Sequence, residues 1–499
     1  MRVTNNMITG NTKSNINGNK VLVDKYNTQM TTQKKISKAS EDPVIAIRSL
    51  RLATSLTHIN QYVDNNIPDA EAWLDVTETA LTNMKDILTD VRTQCVNGST
   101  DTLTADDRQT LLKNLNALGK QVYTEGNADY AGRTVFTGYR TASKLTFMED
   151  SEDTTYNITQ NMSYEDLEEH RYYSEGVEVP TVVDTATPDC DTNVQRTQYQ
   201  RIRLAYKDVS EGLKLTLTDA EGGDQTSLIQ NDLAVSTYDS IDDWQESADK
   251  EIGDNDVVFI KETGELIFGK EIAKEIASQK LNITVNYDKT GFEAEDARPE
   301  YYYDCHDKTD PDNVIYFKKE QQDINYTIAT GIDLTVNTQA NEVMDTGIKR
   351  DVEELVDVVS NAINAHDKVD KITEMMKEAR YADEASQKKL QGYLDAAEKE
   401  AAYADDHLQK TFGNYITKFD THLQKVNTAI TNVGSSESRL ALTKNRVENQ
   451  QTTFEELKSK NEDREISDII IDYTASYNAY QASLTAASKI NQQTLLNYI

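Results

Sequence analysis

Histidine is the residue type whose spacing most directly signals metal or acid–base chemistry. Two imidazoles four residues apart share one face of a helix and can bind zinc together. The chain contains His58, His170, His306, His366, His407 and His422. No two of them have that spacing, so the sequence indicates no zinc motif.

Three other short segments come near to a functional motif. Cys305-His306-Asp307 combines a nucleophile, a base and an acid, but adjacent residues on a strand point to opposite faces. The acidic segment Asp307 to Asn313 is similar to a calcium loop, yet it lacks the central glycine and the glutamate at the twelfth position. Gly222-Gly223-Asp224 lacks the lysine and hydroxyl residue of a phosphate loop. We interpret all three as polar turns or strands, and we expect no catalytic residue, metal or cofactor.

Charge and composition restrict the class of protein further. The 499 residues include 52 Lys and Arg against 85 Asp and Glu, a net charge of −33, which disfavours nucleic acid and anionic membrane surfaces as partners. The three cysteines are far apart, so no disulfide framework is indicated. The start lacks the basic and apolar regions of a cleavable signal, and no apolar run is long enough to cross a membrane. We expect several domains and a chain that is soluble when made.

Both ends of the chain show the spacing of helices that pack against a partner. Ile16, Val23 and Met30 recur every seven residues near the N-terminus. Near the C-terminus, apolar residues follow steps of four and three, which is typical of a coiled-coil seam and favours packing over an aromatic ligand box. These residues are Ile466, Ile470, Tyr473, Tyr477, Tyr480 and Leu484.

The remainder of the chain divides into helical and β-rich parts. A helical stripe begins near Asp69 and ends at Asn97-Gly98-Ser99, and Thr104 then begins a capping box. The stripe consists of Leu74, Thr77, Leu81, Met84, Leu88, Val91 and Cys95. From about 135 to 340 the pattern changes to period two, with a hairpin turn at Gly264, and helix returns from about 345 to 432. The sequence therefore predicts a mainly α fold with a β-rich central insertion.

Four segments carry a resemblance to a known family. They are Met1 to Met7, Thr31 to Pro43, Tyr130 to Gly138 and Leu495 to Ile499. The candidate interaction residues within them are Pro43, Tyr130, Gly132, Phe136, Gly138, Leu495, Leu496 and Tyr498. Together they resemble the flagellin superfamily, and most closely its hook-filament junction family. Gln33 stands where the family usually has glycine.

The resemblance implies an elongated antiparallel helical bundle with an outer β domain. Residues 1–42 and 455–499 would form terminal coiled-coil segments of an inner tube. Residues 43–140 and 345–454 would form a helical bundle, which includes an extra helical segment at about 365–430. Residues 141–344 would form the β-rich outer domain.

The resemblance also implies a function. The chain would be a structural subunit of the bacterial flagellum at the hook-filament junction, an adaptor on which flagellin assembles, and not an enzyme. Its partners would be the preceding hook-associated protein ring, flagellin, identical subunits in a ring, and an export chaperone at the C-terminal helix. It would be secreted through the flagellar export apparatus to an extracellular position. Two alternatives stay open: a variant flagellin that forms the filament itself, and an enzyme or calcium-binding adhesin in the middle domain.

Overall fold

The structure is a computed structural model that describes residues 5–100, 103–174, 176–184, 187–190, 195–210, 212–219, 221–226, 235–247 and 252–492. It contains two compact units, and each unit is assembled from separate parts of the chain. Unit 1 comprises the described residues of Met1–Glu71, Tyr326–Leu334 and Ser438–Ile499. Unit 2 comprises those of Ala72–Asn325 and Thr335–Glu437.

Helices occupy both ends of the chain and strands lie mainly between them. The α-helices are, in chain order, α1 (Asn5–Thr32), α2 (Pro43–Gln61), α3 (Ile67–Gly98), α4 (Ala105–Glu125), α5 (Ile241–Glu246), α6 (Lys270–Gln279), α7 (Ala340–Val343), α8 (Gly347–Lys377), α9 (Glu384–Glu462) and α10 (Ile466–Gln492). A short π-helical segment, Tyr62–Asn66, separates α2 from α3. None of the described helices is both long enough and apolar enough to cross a membrane.

The strands form two five-stranded sheets and two small hairpins. The strands are β1 (Asp129–Tyr130), β2 (Arg133–Thr134), β3 (Ser151–Ser163), β4 (Glu168–Ser174), β5 (Gln195–Arg203), β6 (Lys214–Thr218), β7 (Val235–Tyr238), β8 (Val257–Ile260), β9 (Glu265–Phe268), β10 (Asn282–Phe292), β11 (Asp304–Asp307), β12 (Ile315–Phe317), β13 (Asn325–Ala329) and β14 (Ile332–Thr335). The first sheet has the order β12-β11-β3-β10-β6 and the second β4-β5-β9-β8-β7, while β1-β2 and β13-β14 pair as hairpins.

The predicted helix before residue 100 is confirmed. All seven residues of its stripe, from Leu74 to Cys95, are buried on one side of α3. The next helix begins with the expected capping box: the Thr104 side chain accepts from the Asp107 backbone, and the Asp107 side chain accepts from the Thr104 backbone. Local capping and a periodic apolar stripe together fix where these helices lie.

The predicted strands are also present, and they enclose an extensive core cluster. In the first sheet, the long antiparallel pair β3 and β10 runs in register from Ser163 opposite Asn282. In the second, β8 and β9 form the predicted hairpin with Gly264 at φ +62°. A Cβ at Gly264 would collide with the carbonyl oxygen of Tyr206, so the turn requires glycine. The core cluster includes side chains from both sheets and from α6.

Helix α8 and the residues of α9 up to Glu437 complete unit 2. Val352, Leu355 and Val359 are buried along α8, as their spacing predicts, whereas the expected fourth member, Ile363, is half-buried beside the buried Ala362. A short turn then leads into α9, which spans 79 residues. The fold class, mainly α with a β-rich central insertion, is confirmed.

Candidate assembly interface

The helices α1 and α10 pack against each other within unit 1. Asn19 of α1 contacts Ser483 of α10, and Gln29 farther along α1 contacts Arg464 just before α10, so the pair is antiparallel. All but one of the half-buried residues of α1 follow alternating steps of four and three: Thr12, Ile16, Asn19, Val23, Tyr26 and Met30, with Thr28 outside this row. The structure therefore places Ile16, Val23 and Met30 along the contact with α10.

The apolar residues predicted for α10 divide between two faces. Tyr473 and Tyr480 are half-buried in the row that begins at the buried Ile469. The others, Ile466, Ile470, Tyr477 and Leu484, are exposed. The sequence prediction assigned the apolar residues of α10 to the seam. In the structure, the row that contacts α1 instead continues through small side chains such as those of Ser476 and Ser483. Small residues permit the close approach of α1 and leave the larger apolar side chains outward.

Polar groups fix the register of the helix pair. The Asn19 side chain donates to Ser483 Oγ at 2.6 Å and to the Ala479 carbonyl at 3.3 Å. Gln29, 5% exposed, accepts from Arg464 at 3.0 Å and donates to the Lys35 carbonyl at 2.5 Å. A buried polar contact in a helical seam is satisfied in one alignment only, so these bonds disfavour a slipped pairing.

The segment after α1 is joined to the end of α9. Gln33 adopts φ +55°, a left-handed conformation in which its amide donates to the Gln29 carbonyl at 2.7 Å. Lys34 then forms ion pairs with Asp463 at 2.5 Å and with Glu462 at 3.2 Å. A left-handed turn of this kind usually contains glycine, and here it is made with glutamine. Beyond it, Asp42 caps α2 and exposed Pro43 occupies the first helical turn.

Exposed apolar side chains are frequent on unit 1. In addition to the outward residues of α10, the set includes Val21 at 67%, Val44 at 65%, Ile47 at 55%, Leu50 at 69% and Ile471 at 66% exposure. Such apolar exposure is typical of surfaces that bind other protein. Leu495, Leu496 and Tyr498 lie outside the described residues.

The segment Tyr130 to Gly138 lies in unit 2, where it makes a compact double turn. The Tyr130 ring meets Trp73 edge-on at 6.2 Å, and Phe136 is 1% exposed. Gly132 and Gly138 adopt φ of +77° and +61°. Tyr130 and Phe136 therefore take part in local packing where the chain passes from α4 into the strands, and Gly132 and Gly138 supply its left-handed turns.

The segment around Cys305 is accounted for by strand packing. Cys305 is 1% exposed, and burial raises the pKa of its thiol, which makes a thiolate nucleophile unfavourable. The His306 ring lies 4.4 Å from that of Tyr316. In the following acidic segment, the Asp307 carboxylate accepts a hydrogen bond from the Thr309 backbone amide at 2.9 Å. The Asp310 carboxylate accepts one from the Asp312 backbone amide at 3.1 Å, and both contacts are typical of Asx turns.

A buried ionic cluster joins the second sheet to α8 and α9. Asp351 of α8, 3% exposed, accepts from Arg203 of β5, from Lys418 at 3.2 Å and from His422 at 3.0 Å. Burial alone would raise the pKa of Asp351, but Arg203, His422 and Lys418 hold it far below its usual range. Glu168 of β4 also contacts Lys418, and Arg203 lies 3.5 Å away. Sequence spacing gave no sign of this cluster.

A second set of ionisable groups lies beside the first. His170 of β4, Glu354 of α8 and His407 of α9 have ligand atoms within 4.8 Å of one another, and together they could hold a metal ion. Arg201, 2% exposed, bonds Glu354 at 3.1 Å and Glu265 at 2.5 Å. Burial lowers the pKa of His170, and it lowers that of His407 to about 4. Burial opposes ionisation of Glu354, but Arg201 and His170 nevertheless lower its pKa.

Comparison with known proteins concerns mainly the two ends of the chain. Residues 3–141 match the family model of the bacterial flagellin N-terminal helical region, and residues 416–499 match that of the C-terminal helical region. The chain thus carries both helical regions that flagellins have, and α1 and α10 lie within them. The predicted resemblance to the flagellin superfamily is confirmed.

Two relatives that match the chain are both flagellar hook-associated proteins. The chain is 29% identical over 118 residues to flagellar hook-associated protein 3 of Escherichia coli, which is 23% of this chain and 37% of that protein. It is 26% identical over 142 residues to the Salmonella typhimurium protein of the same name, which is 28% of this chain and 44% of that protein. This chain therefore spans less than half the length of either relative.

A solved structure of a hook-associated protein from Vibrio parahaemolyticus aligns with 85% of this chain and 100% of its own. Its identity is 12% and its TM-score 0.36, values too low to bear on the fold.

Proposed function

We propose that this chain is a structural subunit of the bacterial flagellum at the hook-filament junction, and that it is not an enzyme. The observation that carries the proposal is the pairing of α1 with α10. These helices belong to the two regions that match flagellins, and their pairing leaves apolar side chains outward. An amphipathic helix pair with a second apolar face is stabilised by further helices.

The proposal assigns those further helices to neighbouring molecules. Identical subunits in a ring, the preceding hook-associated protein ring and flagellin would contact the exposed apolar side chains of unit 1. An export chaperone would cover the α10 region before secretion through the flagellar export apparatus. The names of the two relatives favour the junction over the bulk filament. The proposed assembly retains the layered scheme, with 1–42 and 455–499 innermost and 141–344 outermost.

Location on the flagellum tests the junction role directly. Antibody against unit 2, applied to intact flagella, should label one band where the filament meets the hook. A strain without the gene should carry hooks but no filaments and should release flagellin into the medium. Label along the whole filament would instead make the chain a filament subunit, and normal filaments on the deletion strain would refute the adaptor role.

A pair of matched substitutions tests the role of the exposed face. Ile470 of α10 is 47% exposed and Ile315 of β12 is 45% exposed, so replacing either by serine removes a similar apolar contact. Ile470→Ser should leave bare hooks in a complemented strain, whereas Ile315→Ser should restore filaments. Neither change should alter the secondary structure of the purified chain. Equal filament formation by the two variants would contradict the proposed interface.

A further inference from the structure

We propose that His170, Glu354 and His407 bind one divalent transition metal ion of the zinc type. The site joins strand β4 with helices α8 and α9, and its three ligand residues all lie within unit 2. Bound metal thereby links the β-rich part of unit 2 to its two long helices. This proposal does not depend on the flagellar function.

The separations suit tetrahedral coordination. His170 Nδ1 lies 3.4 Å from Glu354 Oε1, and no two ligand atoms of the cluster are more than 4.8 Å apart. Zinc bonds of about 2.0–2.1 Å to nitrogen and oxygen place neighbouring tetrahedral ligands about 3.4 Å apart. The His170–Glu354 edge already has that length. Since no edge exceeds 4.8 Å, none must shorten by more than about 1.4 Å, a distance within reach of side-chain torsions in residues of this length.

The donor set selects the class of metal. Two imidazoles and one carboxylate suit zinc, cobalt, nickel and copper, whereas calcium and magnesium prefer oxygen ligands throughout. Three protein ligands leave a fourth tetrahedral position for water.

The surrounding contacts orient the ligands. The Thr411 hydroxyl lies 3.4 Å from His407 Nδ1, which suits an imidazole that ligates through its other nitrogen. Arg201 bonds the oxygen of Glu354 that also faces His170. This guanidinium also pairs with the buried Glu265 at 2.5 Å, so its charge stays balanced when Glu354 ligates a cation. Outer hydrogen bonds to a ligating carboxylate are usual in metal sites.

Metal and water can reach the cluster. One cavity of about 860 Å³ and another of about 930 Å³ are each lined by both His170 and His407. The first is also lined by Glu354 and Arg201, and the second by Glu400 and Asp367. The ligands are thus buried enough to hold their geometry and open enough to be loaded after folding.

Metal titration of the full-length chain tests the site. The chain, stripped with chelator and dialysed, should bind one equivalent of cobalt with the visible absorption of tetrahedral cobalt(II), and zinc should abolish that absorption. Saturating zinc should raise the melting temperature by about 5 °C, since a ligand that binds only the folded state stabilises it. No visible absorption in the unaltered chain would overturn the proposal.

Matched histidine substitutions locate the binding. His170→Gln and His407→Gln should each weaken zinc binding by more than about 100-fold, the upper range for loss of a supporting group alone. The control is His366→Gln on α8, which removes an imidazole that lies against Asp405 outside the cluster and should leave affinity unchanged. Unchanged binding in His407→Gln would refute the assignment. X-ray absorption at the zinc edge needs no variant: two imidazoles per zinc support the site, and any other number overturns it.

Discussion

Replacing Asp351 with asparagine tests whether the buried ionic cluster holds unit 2 together. The amide preserves the shape of the side chain but removes its charge, so Arg203 and Lys418 are left with Glu168 as their carboxylate partner in the cluster. The side chain of Arg203 is 8% exposed, so water replaces the lost carboxylate only in part. Removal of one partner of a buried pair costs about 3–5 kcal/mol. We expect a loss of that size from the free energy of unfolding at pH 7.

The pH dependence gives this loss a signature. The folded-state pKa of Asp351 lies below its unfolded value, so ionised Asp351 contributes stability above the unfolded pKa of about 3.9. That contribution decreases as the pH falls towards the folded pKa. The difference in the free energy of unfolding between wild type and Asp351→Asn should therefore be largest at neutral pH and should decrease below about pH 4.

Tryptophan fluorescence reports this unfolding selectively. The chain has two tryptophans, and both Trp73 and Trp244 are buried in unit 2. Urea titration should show the midpoint of Asp351→Asn lowered by about 1 M or more, because the slope for a large unit is about 3 kcal/mol per molar. The control is Asp420→Asn, which removes the exposed ion pair with Arg92 and should leave the midpoint unchanged. Equal midpoints for the two variants, or a difference that does not change with pH, would refute the reasoning.

Two further predictions concern glycine and its substitutes. Gly98→Ala should destabilise unit 2 by about 1–3 kcal/mol in urea titration, because its Cβ would overlap the buried Phe412 ring. Gly413→Ala, on the open side of α9, should instead stabilise unit 2 by about 0.5–1 kcal/mol. If both alanine variants changed the free energy of unfolding in the same direction, the packing argument would be wrong. Gln33→Gly should stabilise unit 1 by about 1 kcal/mol, because glycine adopts the left-handed φ of this position without strain. Hydrogen exchange of the α1 amides measures the effect, and the control Gln33→Ala should not stabilise unit 1.

Much of the fold follows from local patterns in the sequence. The stripe from Leu74 to Cys95 identifies a helix because every member faces the core, and Thr104 marks the next helix through its own side chain. The hairpin at Gly264 is predictable because its turn requires positive φ. In each case the signal that predicts the helix or hairpin comes from residues within that element or directly beside it.

The sites that depend on contacts distant in sequence were not predictable in this way. His170, Glu354 and His407 come from a strand and two helices, so no spacing rule applies to them. The predicted seam of α10 also depended on its partner: apolar spacing alone did not distinguish the row at Tyr473 from the outward row at Ile470. The facing helix decides which of the two adjacent rows of α10 is buried.

The two units differ in what stabilises them. Among the described residues of α1 and α10, Ile469 is the one apolar side chain that is fully buried, and the pair relies on half-buried contacts and polar bonds such as that of Asn19. Helices with so little buried apolar surface are marginal in water. Unit 2 instead has an extensive apolar core and the buried cluster of Asp351. Unit 2 should therefore stay folded in the free chain under conditions that unfold α1 and α10, and the proposed function predicts that helices of neighbouring molecules stabilise α1 and α10 on assembly.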